Sequence, residues 1–428
     1  MRRWILGAAL VAALAAGLVP LARSLHGGVA HASLTDESIA KIAPGPAQAP
    51  PPPPLTGLDL TRVGIDDTGA SAPLADRKVA RLTIDPVLQK RALALMAAHQ
   101  LPEAAVVMMD PQTGRVLVYA SRLASGAVRD VCAEASAPAA SVFKIITGAA
   151  LVEHAALTPE TKQCFSGGEQ KILASDLEDD PVRDRWCATL SGAMGRSVNT
   201  VFARLALKHL KPPVLEETAK AFGFGEPVPF DVPVQPSTIH LPADTLGFAR
   251  TAAGFWNTTL SPLEAAQISA TLSRGGEPVR PTVVSAITEP NGTPVWSAPQ
   301  TPTTMRRAVT PATAQAITTM MEHTITDGTC YRAFHDAKGT AFLPGIAVAG
   351  KTGTLTDDKA RRFYTWFSGF APSRPMQNVK PVAIAVLVVN LPTWQVKANV
   401  LAREMLHAYF AEQKVPNVLR PPRIAHRD

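Results

Sequence analysis

The run Val382-Ala383-Ile384-Ala385-Val386-Leu387-Val388-Val389 holds eight consecutive apolar residues without a single polar side chain. A short, continuous apolar run rich in β-branched residues predicts a strand buried on both faces. Such a strand needs neighbours on both edges and cover on both faces. Nearby candidates are strands at 346–355 and 362–370. Others lie far upstream, where 104–109 and 115–120 read as a hairpin across the turn Asp110-Pro111-Gln112-Thr113-Gly114. Order begins near the strand-like stretch 79–84, and Asp85-Pro86 opens a helix to about His99. Helical patterns fill the interval, among them 201–210 and 263–272, and a helix over 398–411 closes the chain. The expected fold class is therefore α/β in the α+β sense: a mainly antiparallel sheet assembled from distant segments, flanked by helices, beside a helical second lobe.

The ends bound where such a domain operates. Met1-Arg2-Arg3 precedes an apolar run from Trp4 to Ala22, closed by Arg23. At 1.5 Å per residue that run spans roughly 28 Å, about one bilayer core. Residues 1–23 thus read as a membrane anchor with an exported C-terminal side; Ala30-His31-Ala32 offers the competing reading of a cleaved signal peptide. Residues 24–80, with Pro50 to Pro54, read as a proline-rich tether, and 414–428 as a tail. The formal charge of +7 is modest for 428 residues, and no basic stripe interleaved with aromatics suggests nucleic acid. Export makes the four cysteines disulfide candidates. Cys164 and Cys187 flank an acidic, loop-like stretch that a bridge would close, although four cysteines allow three complete pairings. No metal-ligand spacing is present, and His154, His323 and His335 read as structural or solvated rather than catalytic.

Three short motifs carry chemistry. In Ser141-Val142-Phe143-Lys144 a hydroxyl and an amine lie side by side on a helix. Pro138 suits that helix's first turn. Val142, Ile145, Ile146, Ala149 and Val152 form its buried stripe, leaving Ser141, Lys144 and Gly148 on a face that can line a cleft. A serine hydroxyl needs a base, and Lys144 serves as one only if burial or a second cation depresses its pKa. Ser197-Val198-Asn199 supplies a second hydroxyl and an amide, although Asn199 or Thr200 could instead simply cap the following helix. Lys351-Thr352-Gly353-Thr354 combines a cation, two hydroxyls and a glycine that marks close approach of a ligand or backbone.

In this order, with Asp110-Pro111-x-x-Gly114, Thr259-x-Ser261-Pro262-Leu263 and Thr365-Trp366-Phe367-x-Gly369-x-Ala371-Pro372 around them, the motifs resemble the transpeptidase domain of penicillin-binding proteins, within the serine D,D-peptidase and β-lactamase superfamily. The resemblance covers about residues 81–413. It is class B-like, yet a tether stands where a large non-catalytic N-terminal domain is usual. It implies Ser141 as nucleophile, Lys144 as its activator, and Ser197 and Lys351 as proton shuttles. Asn199, Thr352, Gly353 and Thr354 would bind substrate, with the backbone N–H groups of Ser141 and Thr354 as oxyanion hole. The implied reaction is cross-linking of peptidoglycan stem peptides, inhibited covalently by β-lactams and needing no metal or organic cofactor. The implied location is the inner membrane with an extracytoplasmic catalytic domain, among protein partners of the cell-wall machinery. Alternatives are a D,D-carboxypeptidase or endopeptidase, a class D-like β-lactamase (against which Asn199 argues), and a non-enzymatic β-lactam sensor or divisome scaffold.

Overall fold

The computed structural model describes residues 55–418, apart from 169, 170, 392, 394 and 417. The expected anchor or signal at 1–23, the proline run and most of the 414–428 tail lie outside the described residues. Among the described residues no helix is long and apolar enough to cross a membrane.

The apolar run forms strand Val382–Asn390, in which all nine residues are buried. It pairs antiparallel with Arg362–Ala371 on one edge and Glu103–Met109 on the other. Ala349–Asp357 and Val116–Leu123 complete a five-stranded antiparallel sheet as its two edges. Alternation divides the central strand between two cores. Ala383, Ala385, Leu387 and Val389 face one, whereas Val382, Ile384, Val386 and Val388 face the other. The second core is closed by helices Pro86–Ala98 and Ala398–Glu412, through residues such as Leu88, Met96, Leu401 and Met405. The first is closed by helix Pro262–Ser273 and the helical lobe.

Local chemistry starts these helices where the turns require. Asp85 accepts from the amides of Val87 and Leu88 at 2.9 and 3.0 Å, ahead of Pro86 at the first helical position. Ser261 caps Pro262–Ser273 through the Glu264 amide at 3.2 Å.

The tether expected over 24–80 does not extend that far. Strands Gly64–Asp66 and Gly69–Pro73 join Val79–Leu82, Val284–Thr288 and Pro294–Ser297 in a second five-stranded antiparallel sheet. Leu60, Ala70, Ala72 and Leu74 are buried in the first core, so folded structure begins well before residue 81. At the other end, Val415 and Val418 of the expected tail are buried in the second core.

Cys164 and Cys187 are joined by a disulfide between facing residues of the hairpin Lys162–Phe165 and Trp186–Thr189. Cys132 and Cys330 are free and buried.

Candidate active site

Ser141 stands on a tight turn rather than inside a regular helix. Pro138, expected in the first helical turn, instead ends a two-residue strand, Ala137–Pro138, that pairs with Thr259–Leu260. A 3₁₀ turn follows over Ala140–Phe143, and the α-helix proper is Lys144–Ala155. The cause is tertiary: the indole Nε1 of buried Trp366 donates to the Pro138 carbonyl at 2.8 Å, while Pro138 pairs with Thr259 in the short two-stranded ladder. Ala140, just before the nucleophile candidate, has φ 49°, a left-handed conformation that costs a non-glycine residue roughly 1–2 kcal/mol.

Two glycines allow the crowding around this turn. At Gly254 (φ 80°) a Cβ would lie 2.4 Å from the Ala140 carbonyl oxygen. At Gly353 it would lie 3.2 Å from both Ala140 Cβ and Trp366 Cβ. The edge strand Ala349–Asp357 therefore passes directly over the serine turn.

Lys144 is fully buried. Its Nζ lies 2.8 Å from Ser141 Oγ and 2.7 Å from Asn199 Oδ1, and it also donates to the Ala253 carbonyl. None of these partners carries a negative charge. Desolvation, reinforced by the charge of Lys351, holds the Lys144 pKa well below the ordinary lysine range. Gly148 does not share a cleft-lining face: a Cβ there would press on Met194 at 3.1 Å and Ile317 at 3.3 Å, so this part of the helix is packed.

Ser197 is the C-cap of helix Leu190–Arg196, at φ 59°. That conformation points the chain back toward the cleft, where Lys351 Nζ donates to Ser197 Oγ at 3.0 Å. Lys351 is also fully buried, and desolvation lowers its pKa to about 7. Asn199 is not a cap. It is the first residue of helix Asn199–His209, Val198 holds the cap position, and Thr200 donates instead to the Gly167 carbonyl at 2.9 Å. The Asn199 amide is oriented at both ends, receiving from Lys144 and donating to the Gly168 carbonyl at 3.3 Å.

These groups surround a cleft of about 350 Å³ lined by Ser141, Ser197, Asn199, Thr352, Gly353 and Thr354. Lys144 and Lys351 lie buried behind their serines. The fold thus brings the eight candidate site residues of the three motifs to one place. Thr329, Lys397 and Asn399 also line the cleft and were not found from sequence, because none belongs to a motif. Thr329 Oγ1 lies 2.6 Å from Thr352 Oγ1. Chemically, the site pairs each of two hydroxyls with a buried amine of lowered basicity, a disposition for moving protons onto and off oxygen.

Residues 104–403 match the penicillin-binding protein transpeptidase domain family. The chain is 28% identical over 344 residues to peptidoglycan D,D-transpeptidase PbpA of Mycobacterium tuberculosis, covering 72% of this chain. It spans 66% of that relative's length, just under two thirds. The crystal structure of PBPA from M. tuberculosis superposes with a TM-score of 0.63 at 25% identity, covering 77% of this chain and 82% of that one. The ceftriaxone acyl-enzyme complex of the same protein gives 0.61 at 25% identity, covering 77% and 79%. Fold, ordered motifs and matched length agree, and the chain belongs to the penicillin-binding protein transpeptidase domain family.

Proposed function

We propose that this protein is a peptidoglycan D,D-transpeptidase that cross-links stem peptides through an acyl-enzyme on Ser141. The observation that carries the reading is the pair of contacts Lys144–Ser141 and Lys351–Ser197 opening on one cleft. The name of the M. tuberculosis relative and the acyl-enzyme complex of its structure support it.

In the acylation half-reaction, neutral Lys144 takes the Ser141 hydroxyl proton as Oγ bonds to the penultimate carbonyl carbon of a D-Ala-D-Ala terminus. The backbone N–H groups of Ser141 and Thr354 hold the resulting oxyanion, each such donor contributing about 3 kcal/mol. Ser197, with Lys351 behind it, passes a proton to the departing amine as the C–N bond breaks. Lys351, Thr352 and Thr354 grip the terminal carboxylate, whose charge draws the Lys351 pKa upward and keeps it protonated. Asn199 aligns the peptide main chain, while the edge strand Ala349–Asp357 offers it main-chain pairing. An amine of a second stem peptide then attacks the ester, forming the cross-link and returning the proton to Ser141. Residues 1–23 tether the catalytic domain to the outer face of the inner membrane, within reach of cell-wall partner proteins.

Fluorescent penicillin tests the first half: wild type labels covalently and Ser141→Ala does not. A donor pentapeptide supplied with an acceptor amine tests the second. Cross-linked product is expected; hydrolysed donor alone would reassign the protein as a carboxypeptidase, and rapid turnover of penicillin as a β-lactamase.

A further inference from the structure

We propose that the groove bounded by Thr326, Asp327, Gly328, Thr329, Tyr331 and Arg332 is the acceptor subsite, in which Arg332 pairs with a carboxylate of the peptide that brings the attacking amine. This rests on the acyl-transfer reading above. Aminolysis of the acyl-enzyme is acylation run backward with a different amine. By microscopic reversibility, the incoming amine takes the place the departing amine left. The rest of the acceptor must therefore leave the cleft at the end where the donor's terminal carboxylate was gripped, beside Thr352.

Thr329 stands at that end. It hydrogen-bonds Thr352 through the paired hydroxyls and lines both the catalytic cleft and an adjoining groove of about 520 Å³. The groove is fixed relative to the chemistry. The Thr329 amide donates to the Gly195 carbonyl at 3.0 Å, and a Cβ on Gly328 would lie 2.2 Å from the same oxygen. The segment is thus pressed onto helix Leu190–Arg196, whose C-cap is Ser197. Along the groove, Arg332 is exposed and has no ion-pair partner among the described residues. Tyr331 is 38% exposed, its ring stacked on His335 at 4.3 Å. An uncompensated guanidinium beside a braced aromatic face fits a carboxylate-bearing peptide, since arginine pairs carboxylates through two parallel hydrogen bonds.

The test isolates the second half-reaction. Purified protein is pre-acylated with a donor peptide, and decay of the acyl-enzyme is followed against increasing concentration of a carboxylate-bearing acceptor peptide. In Arg332→Glu the acceptor concentration giving half-maximal aminolysis is expected to rise about tenfold or more, as loss of a charge-assisted contact implies. Arg332→Lys should recover part of that loss, and an acceptor amine lacking the carboxylate should not distinguish the variants. An unchanged ratio of aminolysis to hydrolysis in both Arg332→Glu and Tyr331→Ala overturns the assignment. Failure of the wild type itself to form the acyl-enzyme counts against the transpeptidase reading instead.

Discussion

The indole of Trp366 and the carbonyl of Pro138, 2.8 Å apart, tie the second strand of the central sheet to the segment that delivers Ser141. Trp366 is fully buried, so the bond forms where water cannot replace it. Through this contact the sheet helps to place Ser141, which lies ahead of helix Lys144–Ala155.

Replacing the indole tests that dependence. Trp366→Phe should cost about 2–4 kcal/mol, from the lost bond and the space left in the core. It should also slow penicillin acylation of the folded protein by about tenfold, because the turn loses its tie. Denaturant unfolding alongside labelling rates separates the two effects. A wild-type labelling rate in the destabilised variant would show that the turn holds itself.

A second test concerns the lysines and pH. Acylation requires Lys144 neutral and, in the mechanism given, Lys351 protonated. The rate constant kcat/KM for acylation should therefore rise with pH through the depressed Lys144 pKa. It should fall above about 7 as Lys351 in the free protein loses its proton. Lys351→Arg keeps the charge at all working pH and should abolish the alkaline fall, whatever its absolute rate. Lys144→Met should remain folded and lose about 10³-fold in rate, the usual scale of general-base catalysis. A profile whose alkaline limb persists in Lys351→Arg would assign that limb elsewhere.

Gly254 offers a steric test. Alanine there would push its Cβ to 2.4 Å from the Ala140 carbonyl and hold a strained φ of 80°. Gly254→Ala should destabilise by more than about 1 kcal/mol and cut Ser141 labelling by roughly a hundredfold. Thermal unfolding and a labelling time course check both. Normal labelling would mean the turn can retreat without losing its geometry.

Glu264 predicts a pH-dependent stability away from the cleft. It is fully buried on helix Pro262–Ser273, where neither carboxylate oxygen has a hydrogen-bond partner among the described residues and burial raises its pKa to about 7. The folded pKa lies above the unfolded value of 4.5. Stability from this group is therefore complete below pH 4.5, is lost as pH rises toward about 7, and stays lost above it. The total loss is about 3 kcal/mol. Glu264→Gln should be more stable than wild type at pH 8 and nearly equal to it at pH 4.5, measured by urea unfolding at both. An unchanged pH slope in the variant would refute the assignment.

The central sheet was legible because a strand buried on both faces cannot hide its composition. Val382–Asn390, Arg362–Ala371 and Glu103–Met109 all lie within a residue or so of their expected bounds. The second sheet was not, because Gly69–Pro73 reads Gly-Ala-Ser-Ala-Pro: small residues that resemble linker and become strand by pairing with Gly64–Asp66 and Val79–Leu82. Pro138 misled for a related reason, since its local preference for a helix start yields to Trp366. In the site, the motifs carried their own signal. Thr329, Lys397 and Asn399 carried none, because their meaning arises only when the loop after helix Pro311–Thr326 and the start of helix Ala398–Glu412 reach the cleft.

The Cys164–Cys187 hairpin has a consequence for how the protein is made. Gly167 and Gly168, just beyond Cys164, supply the carbonyls that seat Thr200 and Asn199. Arg204, buried one helical turn further on, reaches back to the Cys164 carbonyl and to Asp184 on the same excursion of chain. The sulfur–sulfur link thus clamps the base of the element on which the Asn199 amide rests. Material produced in a reducing cytoplasm would emerge with Ser141 in place but the Asn199 amide loosely seated. Preparations of the same sequence would then differ in turnover according to the thiol chemistry of their maturation.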